Sequence, residues 1–253
     1  MRTRLFIVLI ALMAVGSYCK GQDPEPKECA NGKYGYTDNA GRGVISCKYD
    51  NAGSFNEGLA LVSLNGKYGY TDRTGKEIIP FKYDYAWNFV EELAVVELND
   101  KRGYIDRAGK AVTPLKYDKA EDFDEGLAAV ELNGKYGYID RTGKEIIPLE
   151  YDKTGGFYEG QAMVELNGKC GYTDRTGKAV ISLKYDEAYS FYEGLATVEL
   201  NGKWGYLDRT GKVVIPLKYD EAYLYGKEIY IDKQGHEYAT EEEALKAVTS
   251  QWK

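Results

Sequence analysis

One histidine, His236, stands among 253 residues, with only three tryptophans, seven phenylalanines and six prolines. A single histidine leaves no Cys and His grouping with metal-ligand spacing, so neither a metal nor a cofactor is expected. No phosphate-cradling glycine loop or hydrolase elbow occurs, and "DRTGK" supplies one acid where a calcium loop needs several. Basic residues are also short, 33 against 40 acidic ones, for a formal net charge of −7. Loss of Arg2, Arg4 and Lys20 with an N-terminal leader would widen that gap to about ten charges. Without a basic stripe, a nucleic-acid partner is excluded.

Long apolar runs are missing except for "LFIVLIALMAVG" at 5–16, behind Arg2 and Arg4. It is too short to span a bilayer and reads as the core of a secretory leader, so no transmembrane span is expected in the mature chain. Cleavage after Gly21 defines residues 1–21 as the leader; cleavage after Gly16 is the other fit. A lipoprotein acylated at Cys19 is the rival reading, although Tyr18 stands where a small residue is wanted. The expected address is exported: periplasm, outer surface or extracellular. Cys29, Cys47 and Cys170 then remain. Cys29 with Cys47 is the local pair a disulfide would join, and three unpaired thiols are the alternative.

What is abundant is tyrosine, 24 residues, and repetition. The Asn of an Asn-opened module recurs at 31, 65, 99, 133, 167 and 201, always 34 residues apart, and a truncated seventh copy follows at 226–235. Strict spacing of this kind marks a repeat array rather than separate domains. The organisation read is a linker over 22–30, the array over 31–235 and a C-terminal capping helix over 236–253. That helix rests on Thr240 and Glu243 in capping-box spacing and on Leu245, Val248 and Trp252 along one side.

Each unit reads as a three-stranded antiparallel meander, for example "LAAVEL", "KYGYID" and "KEIIPLEYD". Asn-Gly fits a type I′ turn between the first two strands and fixes their register. That register puts Ala128, Val130, Leu132, Gly137 and Ile139 on one face, read as the core. Ala129, Glu131, Tyr136, Tyr138 and Asp140 fall on the other. Phe55, Phe89, Phe123, Phe157 and Phe191 are read as packing plugs between units.

The unit "NGKWGYLDRTGKVVIPLKYDEA" at 201–222 resembles the WG, or KWG, repeat, named for a pair that here is Trp204-Gly205. The resemblance covers residues 31–235. Tyr34, Tyr68 and Tyr136 replace the Trp in three units, Arg102 and Cys170 in two others. The family is mostly bacterial and without a common demonstrated activity, so the resemblance implies a β-rich interaction module and no particular ligand.

The expected fold is an all-β open repeat solenoid with a short helical cap, and a propeller-like ring is the alternative. The first unit is read as starting at its second strand, because "DPEPKECA" is polar and carries two prolines. No catalytic residue is assigned: repeated acids such as Glu97 and Asp106 have copies in equivalent places of other units, whereas a tuned acid or base is normally unique. The candidate site is an aromatic ladder on the second face: Tyr34, Tyr36, Tyr68, Tyr70, Arg102, Tyr104, Tyr136, Tyr138, Tyr172, Trp204 and Tyr206. The half-buried packing of the same rings is the competing reading. The partners expected are a protein, through an exported interaction scaffold, or an envelope glycan stacked on the ladder.

Overall fold

The computed structural model describes residues 23–219; the leader, the truncated seventh copy and the expected cap over 236–253 lie outside them. Within that span six small antiparallel sheets follow in tandem, each built from strands adjacent in sequence. The array is an open β-solenoid. No helix occurs among the described residues.

Unit 4 shows the pattern: Lys119–Ala120, Leu127–Leu132, Lys135–Asp140 and Glu145–Tyr151. The meander therefore has four strands where the sequence suggested three. The extra strand lies ahead of Glu125-Gly126, where φ values of 49° and 78° make a second tight hairpin closed by the Asp124 and Leu127 bridge. A two-residue strand has no alternation to read. Unit 2 (Asn51–Asn56, Leu59–Leu64, Lys67–Thr71, Glu77–Tyr83) and unit 5 (Lys153–Tyr158, Gln161–Leu166, Lys169–Asp174, Ala179–Tyr185) follow the same plan. So does unit 6 (Glu187–Ala188, Leu195–Leu200, Lys203–Asp208, Val213–Tyr219). Unit 3 keeps Tyr85–Ala86, Leu93–Leu98 and Lys101–Asp106, and its fourth segment is reduced to isolated bridges.

Unit 1 corrects one expectation. Glu25–Glu28 is a strand paired with Tyr34–Thr37, which in turn pairs with Gly43–Tyr49. Pro26 is tolerated because this strand is the edge of its sheet and needs no donor on the outer side. A disulfide joins Cys29, next to that strand, to Cys47, with Cα atoms 6.2 Å apart.

The Asn-Gly turns adopt the expected geometry, with φ of 54° and 76° at Asn133 and Gly134. The register follows: Leu132 opposite Lys135, Val130 opposite Gly137, Ala128 opposite Ile139. The WG-position glycine has a steric cause. Between the pairs Tyr136–Tyr151 and Tyr138–Ile147 the fourth strand carries extra residues and bulges toward the third. A Cβ on Gly137 would stand 2.5 Å from the Ile147 carbonyl oxygen and 2.6 Å from that of Pro148, so a side chain is excluded.

The core does not sit on one face. Five buried clusters occur, and each joins two consecutive units. Unit 4 gives Ala128, Val130 and Ile139 to the cluster shared with unit 3, and Leu127, Tyr138 and Ile147 to the cluster shared with unit 5. Both sheet faces are therefore core, as stacked repeats that bury their surface only against neighbours require.

Candidate interaction surface

The buried frame claims most of the expected ladder. Tyr36, Tyr70, Tyr104, Tyr138 and Tyr172 are 1% exposed and Tyr206 is 4% exposed, so these six rings cannot stack on a ligand. In units 1 to 5 the face read as open is closed by the next unit. The hydroxyls of Tyr36, Tyr70, Tyr104 and Tyr172 donate to the carbonyls of Gly53, Trp87, Glu121 and Tyr189 at 2.5–2.7 Å, and Tyr138 donates likewise to Gly155. Each acceptor lies in the following unit, and Phe55, Phe89, Phe123, Phe157 and Phe191 pack on the same rings at 4.8–5.0 Å. Burial drives these phenols well above their ordinary pKa. The tyrosine excess thus answers a demand for a large apolar body whose tip can satisfy a neighbour's buried carbonyl.

Charged residues staple the outer edges in the same periodic way. Asp118 accepts from the Lys101 ammonium of unit 3 and from the Asn133 amide of the unit 4 turn, the latter at 2.6 Å. Asp84, Asp152 and Asp186 repeat the arrangement, and Asp50 does so with the Gly66 amide of its turn. Lysine bonding first, then the amide, holds all five carboxyls below the usual range. In the "DRTGK" turns Asp140 Oδ1 accepts from the Thr142 hydroxyl at 2.6 Å and from the amides of Thr142 and Lys144. The Glu-Gly hairpins are braced from the next unit, as where Arg209 reaches Glu159 at 2.7 Å.

What remains is a row at one end of each sheet, running across three strands. It reads Asn51, Ser63, Tyr68 in unit 2; Tyr85, Glu97, Arg102 in unit 3; and Lys119, Glu131, Tyr136 in unit 4. Units 5 and 6 continue it with Lys153, Glu165, Cys170 and with Glu187, Glu199, Trp204. Tyr34 ends the row in unit 1, opposite Glu28. Tyr34, Tyr68, Arg102, Tyr136 and Trp204 are partly exposed. Cys170 differs from them: it is 3% exposed, inside the cluster shared by units 5 and 6. Its small thiol drops below the surface that larger side chains occupy in the other units.

Two aromatic clusters stand out along the row. Tyr68 stacks on Tyr85 at 5.2 Å, Tyr85 meets Trp87 at 5.8 Å, and the Arg102 guanidinium lies 4.7 Å over Trp87 while its Nε donates to Glu97 at 2.8 Å. In unit 6 Tyr189 stacks on Trp204 at 5.8 Å. Tyr85 and Tyr189 are more than half exposed. Tyr85, Trp87, Lys119, Lys153, Glu187 and Tyr189 were not singled out from the sequence, because they lie on or beside the unrecognised first strand of each unit. Their signal was available, since they vary from unit to unit at fixed offsets from the WG position. The row holds stacked rings, ion pairs and, in unit 5, a buried thiol.

An open stack of β-meander units that share one frame and differ along a lateral row defines a repeat scaffold. The chain belongs to the WG repeat family: the model described as "WG containing repeat" matches residues 34–68, 68–101, 103–136, 136–170, 171–204 and 204–229. No curated protein matches the sequence. Among solved structures, Hsv2 from Kluyveromyces lactis is similar at 10% identity and a TM-score of 0.40, over 63% of this chain and 60% of that one. A eukaryotic initiation factor is similar at 12% identity and a TM-score of 0.45, over 72% of this chain and 60% of that one. The chain thus spans about 60% of their length, and the likeness is a partial superposition.

Proposed function

We propose that this protein is an exported, non-catalytic scaffold that binds a protein partner at the cell envelope or outside the cell, through the lateral row. The observation that carries the reading is the contrast between frame and row. Turns, bulges, core tyrosines and charge staples repeat in register, whereas the row reads Tyr, Tyr, Arg, Tyr, Cys, Trp at the WG position alone. A regular polymer favours regular subsites, while an irregular row suits the irregular side chains of a polypeptide. Export draws support from the apolar segment at 5–16 and from the Cys29–Cys47 disulfide, which persists in oxidising compartments.

Envelope glycan binding is the second reading, favoured by the two exposed stacks, Tyr68 with Tyr85 and Tyr189 with Trp204. One screen separates the two. The mature chain is offered envelope extract and a set of polysaccharides including peptidoglycan, alongside a Tyr85→Ala/Trp87→Ala variant. Protein capture lost in the variant supports the first reading, polysaccharide retention lost in the variant supports the second, and enrichment of neither removes both.

A further inference from the structure

Of the five glutamates opposite the WG position, three have a cation from their own chain; Glu28, on the edge strand of unit 1, and Glu199, in unit 6, have none among the described residues. Glu97 pairs with Arg102 at 2.8 Å, Glu131 with Lys119 at 2.7 Å and Glu165 with Lys153 at 2.8 Å. In unit 6 the residue opposite Glu199 on the first strand is Glu187, and the residue opposite on the third is Trp204. Two carboxylates facing each other across an antiparallel pair repel. Lys153 feels the charge of Glu187, but its ammonium is held by Glu165. Neither Glu187 nor Glu199 forms an ion pair among the described residues.

Unit 4 displays what this arrangement accommodates. The Lys119 ammonium sits 2.7 Å from Glu131, donates to the Tyr136 hydroxyl at 2.7 Å and lies 5.4 Å over the Tyr136 ring. The hydrogen bond to the Glu131 carboxylate, then the one to the Tyr136 hydroxyl, raise its pKa. Unit 6 replaces that lysine by a second carboxylate and the tyrosine by tryptophan, the best of the aromatic faces for a cation. Trp204 is held by its stack on Tyr189.

We infer that Glu187, Glu199 and Trp204 form a docking site for a lysine side chain of a basic polypeptide partner. The inference rests on the protein-binding reading above and adds the chemistry of one contact. The partner's ammonium takes the place that Lys119 takes in unit 4, between the carboxylates and over the indole. The acidic balance of the chain, 40 acids against 33 bases, draws such a partner in.

The test uses fluorescein-labelled hexalysine as the probe and hexaglutamine as its control, read by fluorescence anisotropy on the mature chain at low salt. Glu187→Lys places in unit 6 the residue that units 4 and 5 already carry, so the frame accepts it. It should weaken hexalysine binding about fivefold, the scale of an exposed cation contact with an aromatic ring. Glu77→Lys, at an exposed position on another unit with the same change in net charge, should leave binding within twofold. Lys119→Glu converts unit 4 to the unit 6 pattern and should add a second equivalent of probe. Equal losses in Glu187→Lys and Glu77→Lys, no gain in Lys119→Glu, or hexaarginine bound more than tenfold tighter than hexalysine would each overturn the lysine site. If such a failure is accompanied by protein capture that still depends on Tyr85 and Trp87, only this inference falls. Loss of all protein capture removes the scaffold reading itself.

Discussion

Replacing Gly137 by Ala tests the frame most severely for the smallest change. The added Cβ would lie 2.5 Å from the Ile147 oxygen, 2.6 Å from the Pro148 oxygen and 2.7 Å from the Pro148 carbon. An ordinary contact begins at 3.4 Å, and all three obstacles are backbone atoms that no rotamer change can move. The fourth strand must shift its bulge, which costs about 3 kcal/mol, the upper part of the overpacking range. Gly134→Ala is the internal comparison. No heavy atom lies within 4 Å of its Cβ, but φ is +76°, so its cost is conformational, about 1–2 kcal/mol. Because stability in a repeat array passes from neighbour to neighbour, the Gly137 variant should also split the transition or lower its denaturant dependence. Urea unfolding followed by far-UV circular dichroism measures both. A Gly137→Ala loss no larger than that of Gly134→Ala would refute the close-approach argument.

Other consequences are open to equally direct checks. Tyr138→Phe keeps the ring but strands the Gly155 carbonyl, and should cost about 1–2 kcal/mol in urea unfolding; an unchanged midpoint would deny the hydroxyl its structural role. The carboxyls of Asp50, Asp84, Asp118, Asp152 and Asp186 are depressed in the folded protein. Their contribution is complete above the unfolded value near pH 4 and is lost as pH falls through the folded value. Thermal melting should therefore be flat from about pH 5 to 8 and drop below about pH 4, and a drop beginning near pH 6 would point to other groups. Reduction of Cys29–Cys47, which closes a loop across a sequence separation of 18, should release Glu25–Glu28 to hydrogen exchange while units 3 to 6 keep their protection. Uniform loss of protection across all units would contradict local tethering. Glu187→Lys should raise the melting temperature by about 1–3 °C by ending a cross-strand repulsion.

The parts of the fold that were legible in the sequence are those written as backbone chemistry. Asn133-Gly134 demanded two positive φ angles, fixed the register from Leu132–Lys135 to Ala128–Ile139, and the structure keeps it. The period of the Asn-Gly turns announced a stack. What could not be read was how much of each sheet the neighbour covers. Alternation in "KYGYID" separates two faces but does not say that the tyrosine face is roofed by the next unit, so Tyr138 looked available and is buried. The short strand at Lys119–Ala120 carries no pattern of its own and exists because Glu125-Gly126 folds it back. Pro26 suggested an absent strand, and only the edge position reconciles it with pairing. The row members contributed by those short strands were missed for the same reason.

The claim that ties these observations together is that repeated residues build the frame and the irregular row does the binding. The direct measurement is the affinity of a captured partner for two variants, each assayed well below its own melting temperature. One carries Tyr85→Ala, Trp87→Ala and Glu187→Lys in the row; the other carries Thr74→Ala and Thr142→Ala in exposed turns of the frame. The account predicts a loss of at least about tenfold for the row variant and less than about twofold for the turn variant. Equal affinities, or a loss confined to the turn variant, would contradict it.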